Sequence, residues 1–217
     1  MHASFNAATI ALSAPKFGSQ FPAAVTGFAK PQLIINFAAD EEIYGPGDKA
    51  GTFYKVAYGA VRICRLLTDG RRQIIAFHLA GETFGFEPGL THGFFAEAIT
   101  ETGLRAFNQY ESAETSHELL SLVLNEMVRA QEHLLVVGRQ TALERIISFL
   151  LDISSRQGDL EHTELPMSRI DIADYLGMTI ETVSRAFAKL RQDGYINLPN
   201  ARTVEIRRGH ALRDLCE

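Results

Sequence analysis

The residues best equipped for chemistry are Glu181, Ser184 and Arg185, which recur at i, i+3 and i+4 within Thr179-Ile-Glu-Thr-Val-Ser-Arg185. On a helix this spacing gathers all three on one face, opposite Val183, Phe187 and Leu190 at i, i+4 and i+7. A carboxylate, a hydroxyl and a guanidinium on one solvated face can read base edges. Arg185 can donate a bidentate pair to guanine, Glu181 can accept from the cytosine amino group, and Ser184 can reach a base edge or pack near a thymine methyl. Each good contact of this kind discriminates between bases by ~1–3 kcal/mol. Taken alone, Glu181 and Arg185 could equally form an i,i+4 surface ion pair, so the surrounding elements decide the reading.

Those elements read as a winged helix-turn-helix. Ser168 and Asp171 have capping-box spacing and open a short helix to Leu176. Gly177 supplies a tight turn, and Thr179 caps a second helix that ends near Gln192, with Gly194 as its stop. Two short helices joined by a glycine-containing turn make a helix-turn-helix, whose second helix carries its N-terminal half into the major groove. Tyr195 to Leu198 and Thr203 to Ile206 read as two strands around Pro199-Asn200, which is a wing. Arg169, Thr179, Thr182 and Lys189 are expected phosphate contacts, setting register without specifying sequence.

Upstream, the chain must hold two such readers. Between His117 and Gln140 there is no proline, and Leu120, Leu124, Met127, Gln131, Leu134, Gly138 and Thr141 fall at four-three spacing. This is an a/d seam that calls for a partner helix, and its residues from Leu120 to Gly138 are the expected dimer interface. The alternative is an ordinary helix packed on its own β-domain. A second helix, Ala142 to Arg156, carries Leu143, Ile146, Ile147, Leu150 and Leu151 on one stripe and stops at Gly158. From Ile43 to about Tyr110, short β-branched and aromatic runs alternate with glycine and proline turns, the pattern of a rolled antiparallel sheet. Asp69-Gly70 is the clearest hairpin, flanked by strands Val61 to Leu67 and Gln73 to Leu79. In the second of these, Ile75, Phe77 and Leu79 are expected on the apolar face. Residues 1–30, rich in Ala, Ser, Gly and Pro, read as a loosely ordered arm. The expected organisation is α+β: arm 1–30, β-roll 31–115, dimerisation helix 116–141 and winged helix-turn-helix 142–217.

Hydrophobic residues at 46% and charged residues at 22% suit two packed cores rather than disorder. The net charge of -5 argues against nonspecific coating of nucleic acid. Pro166 to Glu217 carries eight Arg and Lys against seven Asp and Glu, so charge alone does not reveal a reader. The two cysteines, Cys64 and Cys216, are far apart, as expected in a reducing compartment, and the penultimate Cys216 is expected to be the more exposed. No leader or apolar run of ~18 residues is present, so a cytoplasmic protein is expected. Seven scattered histidines and two cysteines offer neither a nucleophile–base pair nor a metal cluster, so no enzyme is expected.

The order of Gly45-Pro-Gly-Asp48, Gly59-Ala-Val-Arg62, Asp69-Gly70, Gly81-Glu-Thr-Phe-Gly85, the seam helix and Gly138-Arg-Gln-Thr-Ala-Leu-Glu-Arg145 resembles the CRP/FNR superfamily of transcription regulators from about residue 40 onward. The recognition segment is similar to the FNR and FixK branch, where Glu, Ser and Arg in this spacing read TTGAT half-sites. The cyclic AMP receptor branch has Gly where this chain has Ser184. The resemblance implies a cyclic-nucleotide-binding-like antiparallel β-roll, a long dimerisation helix and a C-terminal winged helix-turn-helix. It further implies a homodimer on TTGAT, four base pairs, ATCAA, acting mainly as an activator. RNA polymerase contact is implied through the hairpin residues Asp69, Arg71 and Arg72 and through the 156–164 loop.

The sensory groups of better-known branches have no match. No Arg lies between Arg72 and Arg105 to meet a cyclic phosphate, and two remote thiols cannot supply the four-cysteine set of an iron-sulfur cluster. Gly85 and Glu87 stand where haem-sensing relatives carry ligands, and His78 reads as a strand residue. No cofactor is therefore expected, which matches FixK-like regulators that bind DNA as made and serve microaerobic respiration and nitrogen fixation. The alternative keeps the reader and makes the β-domain a sensor of a metabolite such as 2-oxoglutarate, as in the NtcA branch.

Overall fold

A computed structural model describes residues 33–108, 116–139, 141–158 and 162–216, so the expected arm lies outside the described residues. Turns rich in glycine fold eight short strands into two antiparallel sheets. The first runs in the order β1 (Ile34–Phe37), β8 (Thr102–Asn108), β3 (Thr52–Tyr58), β6 (Thr83–Phe84). The second runs β2 (Glu42–Tyr44), β7 (Phe95–Ala98), β4 (Ala60–Leu66), β5 (Arg72–Leu79). Between them lie Tyr44, Val56, Val61, Ile63, Phe84, Ala96 and Leu104. Gly59 makes the β3–β4 turn possible at φ +83°, where a Cβ would collide with Thr102 and the Glu101 carbonyl.

One expectation for β5 is corrected. Ile63 pairs with Ala76 but Cys64 pairs with Ile74, so the ladder bulges at Ile75. The extra residue reverses the alternation before it. Ile75 is left 38% exposed, while Ile74 is fully buried and shares the core with Phe77 and Leu79.

Two helices follow, α1 (Ser116–Arg139) and α2 (Ala142–Gln157). Thr141, expected to close the α1 seam, instead caps α2: its hydroxyl accepts from the Glu144 amide, and the Glu144 carboxylate accepts from the Thr141 amide at 2.8 Å. A residue with φ -66° and ψ 164° cannot continue the preceding helix, so the two are separate rods. Gly158 ends α2 in the left-handed region at φ +70°.

The C-terminal part comprises β9 (His162–Glu164), α3 (Arg169–Leu176), α4 (Ile180–Gln192), β10 (Ile196–Asn197), β11 (Thr203–Ile206) and α5 (Gly209–Asp214). The wing strands form a sheet in the order β10, β11, β9. β9 occupies part of the stretch read as a loop after Arg156. Ile147, Leu150, Ile172, Leu176, Val183, Phe187, Leu190 and Val204 build the core of this part, and it is continuous with Ile74, Phe77 and Leu79 of the β-roll. The reader is thus packed on the roll through shared apolar contacts. Among the described residues, no helix is long and apolar enough to cross a membrane.

Candidate nucleic-acid interface

Two capped helices position the proposed reading residues. The Ser168 hydroxyl accepts from the Asp171 amide at 3.1 Å, and the Asp171 carboxylate accepts from the Ser168 amide at 2.9 Å, a complete capping box for α3. Gly177 turns the chain at φ +62°. Thr179 then caps α4, accepting from the Thr182 amide at 3.3 Å, with the two threonine hydroxyls 3.0 Å apart. Val183, Ala186, Phe187 and Leu190 face the core. Glu181, Ser184 and Arg185 are exposed together on the opposite side of the first two turns.

The Glu181 carboxyl is held below the usual carboxylate range by its own backbone amide at the helix start and by the Thr179 hydroxyl, with Arg185 the weakest influence. Glu181 therefore stays ionised as an acceptor, anchored by the cap rather than consumed by a pair with Arg185. The N-terminal end of a helix also favours anionic groups, phosphates included.

The expected phosphate contacts are placed in three ways. Thr179 and Thr182 stand at the α4 N-terminus, their hydroxyls engaged with each other. Lys189 is exposed one turn from Asp193, with which it pairs at 3.0 Å. Arg169 opens α3 with its guanidinium carbon 3.4 Å above the Phe187 ring. Burial pushes its pKa down to about 10, still cationic at neutral pH, and Nη1 is buried without a hydrogen-bond partner.

On α1, the expected seam residues Leu120, Leu124, Met127 and Leu134 are 47 to 71% exposed, and Gln131 and Gly138 are exposed beside them. Val123, Val128 and Leu135 widen the same apolar stripe. At the β4–β5 hairpin tip, Asp69 and Arg71 are exposed and pair with each other at 2.7 Å. Arg72 departs from expectation. Its side chain turns inward to Asp171 and Asp174 of α3, so it does not share the solvent-facing tip. The pattern of charges in the sequence could not separate Arg71 from Arg72, because only the fold shows which one meets a carboxylate 100 residues away.

The fit of a cyclic nucleotide can be tested at the small cleft between roll and α1, bordered by Thr52, Phe53, Gly85, Phe86, Glu87 and Val123. Among the described residues it offers no cation, and Glu87 would repel a phosphate. The residues do not fit that ligand. Deeper in the roll, His92 stacks on Tyr44 at 3.6 Å between centroids, and His78 packs against Phe84. Cys64 is buried, its pKa pushed up to about 11 chiefly by burial. Cys216 is the more exposed of the two thiols, as expected, but still half-buried, with Sγ 3.8 Å from both Ser148 and the Glu144 carbonyl, and burial raises its pKa as well. Both thiols are consequently poor nucleophiles at neutral pH.

Residues 144–215 match the model of the Crp-like helix-turn-helix domain, and residues 34–109 match that of the cyclic nucleotide-binding domain. The chain is 55% identical over 195 residues to the nitrogen fixation regulation protein FixK of Rhizobium meliloti (strain 1021), covering 90% of this chain and 91% of that one. It is 46% identical to the FixK protein of Azorhizobium caulinodans, covering 82% of this chain and 77% of that protein. Among solved structures, FixK2 from Bradyrhizobium japonicum superposes with a TM-score of 0.82 at 39% identity, covering 87% of this chain and 98% of that one.

Proposed function

The chain belongs to the CRP/FNR family of transcription regulators, in its FixK-like branch, and on that premise we propose that it acts as a homodimer on palindromes of the form TTGAT, four base pairs, ATCAA. Its relatives are DNA-binding regulators, not enzymes. The observation that carries the proposal is the exposed trio Glu181, Ser184 and Arg185 at the capped end of α4. Arg185 reads guanine, Glu181 accepts from the paired cytosine, and Ser184 lies between them. Arg169, Thr179, Thr182 and Lys189 hold the adjacent phosphates and give the binding its salt dependence. The exposed apolar stripe on α1 pairs with its copy, setting the two α4 helices one turn of DNA apart. Domain limits follow these roles: roll 31–115, dimerisation helix from 116, reader from 142, in a cytoplasmic protein.

Binding requires no sensory cofactor, a reading supported by the poor fit of the roll cleft to a cyclic nucleotide. Activation proceeds through RNA polymerase, with Asp69 and Arg71 at the hairpin tip as the contact. The FixK relatives are nitrogen-fixation regulators, and the target genes here belong to nitrogen fixation and microaerobic respiration.

Fluorescence anisotropy without added ligand tests this. The native chain should bind the palindrome at about 10 nM or tighter. Changing both guanines should weaken it at least about tenfold, and Arg185→Ala should remove that difference. Equal weak binding to both duplexes by the native chain would reject the proposal and favour a ligand-gated roll.

A further inference from the structure

We propose that Arg72 and Gln73 are positioning residues for DNA reading: from the β-roll they grip α3 and so fix α4 at the angle that the spacing of two half-sites demands. The proposal rests on the palindromic reading above. α3 divides its residues between two stripes. Ile172, Ala173 and Leu176 are buried in the helix-turn-helix core. Asp171, Asp174 and Tyr175 lie on the other stripe, and each is engaged by a part of the chain outside the reader.

The engagement is directional. Arg72 donates from Nη2 to Asp171 at 2.5 Å and from Nε to Asp174 at 3.1 Å. A planar guanidinium bridging two carboxylates fixes orientation as well as distance, which a flexible ammonium would not. Gln73 donates from Nε2 to the Asp174 carbonyl at 2.7 Å, adding a contact to the α3 backbone itself. Asp171, with a side chain only 5% exposed, also lies 3.5 Å from Arg62, which is tied to Asp40 at 2.9 Å and Glu97 at 2.7 Å. The grip is therefore anchored in β4 and β7, not in a loose hairpin.

A second grip comes from the proposed dimerisation helix. His133 of α1 stacks on Tyr175 with centroids 4.0 Å apart, and Phe77 of β5 packs on the same ring at 5.0 Å. One contact would leave α3 free to pivot about it. Two, on successive turns and from different elements, hold its rotation. Recognition helices of a dimer must meet major grooves about 34–36 Å apart, so freedom at α3 becomes freedom in that separation. Arg72 and Gln73 lie outside the reader, and Arg72 engages Oδ1 of Asp171 whereas the cap uses Oδ2, so neither residue is a direct member of a cap.

The test measures anisotropy of the native chain, Arg72→Met, Gln73→Ala and Arg72→Lys on duplexes whose half-sites are separated by three, four, five or six base pairs. Each duplex is paired with one lacking the guanines, and circular dichroism melts establish that each variant is folded. For the native chain, one base pair of spacer change should cost about tenfold or more, comparable to a mismatched base pair. In Arg72→Met the loss should shrink to about threefold or less with guanine dependence retained, and Arg72→Lys should fall between. Gln73→Ala should relax the spacer dependence in the same direction. Spacer dependence unchanged in both Arg72→Met and Gln73→Ala would overturn the positioning role. So would a folded Arg72→Met that loses guanine dependence, since the reader itself would then be damaged. A native chain indifferent to guanine would overturn the half-site reading, and the positioning role with it.

Discussion

Replacing Arg156 with methionine should destabilise the chain by about 3 kcal/mol at pH 7, because it leaves Glu82 charged in a site closed to water. The Arg156 side chain is 6% exposed, and it donates to the two Glu82 oxygens at 2.9 and 2.6 Å, to Asp152 at 3.0 Å and to the Phe77 carbonyl at 2.6 Å. Breaking such a pair from one side typically costs about 3–5 kcal/mol. Arg129 remains 3.3 Å from Glu82 and offsets part of the charge, which sets the expectation at the lower end. Burial favours the neutral form of Glu82, but Arg156 and Arg129 hold its pKa below the ordinary value. In the variant burial prevails, so Glu82 takes a proton more readily and the penalty should shrink as the solution is acidified. Urea unfolding followed by far-ultraviolet circular dichroism, at one protein concentration because association adds stability, measures the effect. Glu82→Gln/Arg156→Met should be more stable than the sum of the single changes by about 1–3 kcal/mol. Additive single changes, or an Arg156→Met penalty under about 1 kcal/mol, would refute the reasoning.

His78 yields a second pH signature. Burial lowers its pKa to about 4, so as pH falls below about 6.5 the unfolded chain takes up a proton that the native chain refuses. Stability should drop by about 3 kcal/mol between roughly pH 6.5 and 4, and His78→Leu should flatten that part of the profile in urea titrations; a parallel slope in the variant would contradict the assignment. On α1, Leu124→Arg with Leu134→Arg should convert a dimer to a monomer in sedimentation equilibrium and weaken palindrome binding by at least about a hundredfold, with the circular dichroism spectrum unchanged. A doubly substituted chain that still sediments as a dimer would place the interface elsewhere.

The reader was legible in sequence because its signals are local. Ser168, Gly177 and Thr179 each dictate backbone geometry within a few residues, and the 3.6-residue period separates Val183, Phe187 and Leu190 from Glu181, Ser184 and Arg185. The β-roll was legible as a class but not in phase. A bulge at Ile75 reverses the pleat, and no residue type marks it, since Ile74 and Ile75 are the same amino acid. Thr141 fits the α1 seam by spacing and the α2 cap by chemistry, and the cap prevails because two backbone amides would otherwise lack partners. The inward turn of Arg72 was hidden for a different reason: its partners Asp171 and Asp174 adjoin it only after the chain has folded. β9 carries just three residues, His162–Glu164, and is fixed by pairing with β11 rather than by any alternation of its own.

The division of labour between α3 and α4 bears on how such a regulator can diversify. Of these two helices, α3 takes the Arg72 and His133 contacts, while Glu181, Ser184 and Arg185 on α4 are exposed; α2 adds a separate tie to the roll through Arg156 and Glu82. If those three residues read the operator as proposed, exchanges there would alter which operator is bound without touching the docking of the head or its core. After gene duplication, a copy can therefore acquire a new set of promoters through a few codons, while its inherited assembly and spacing stay as they were.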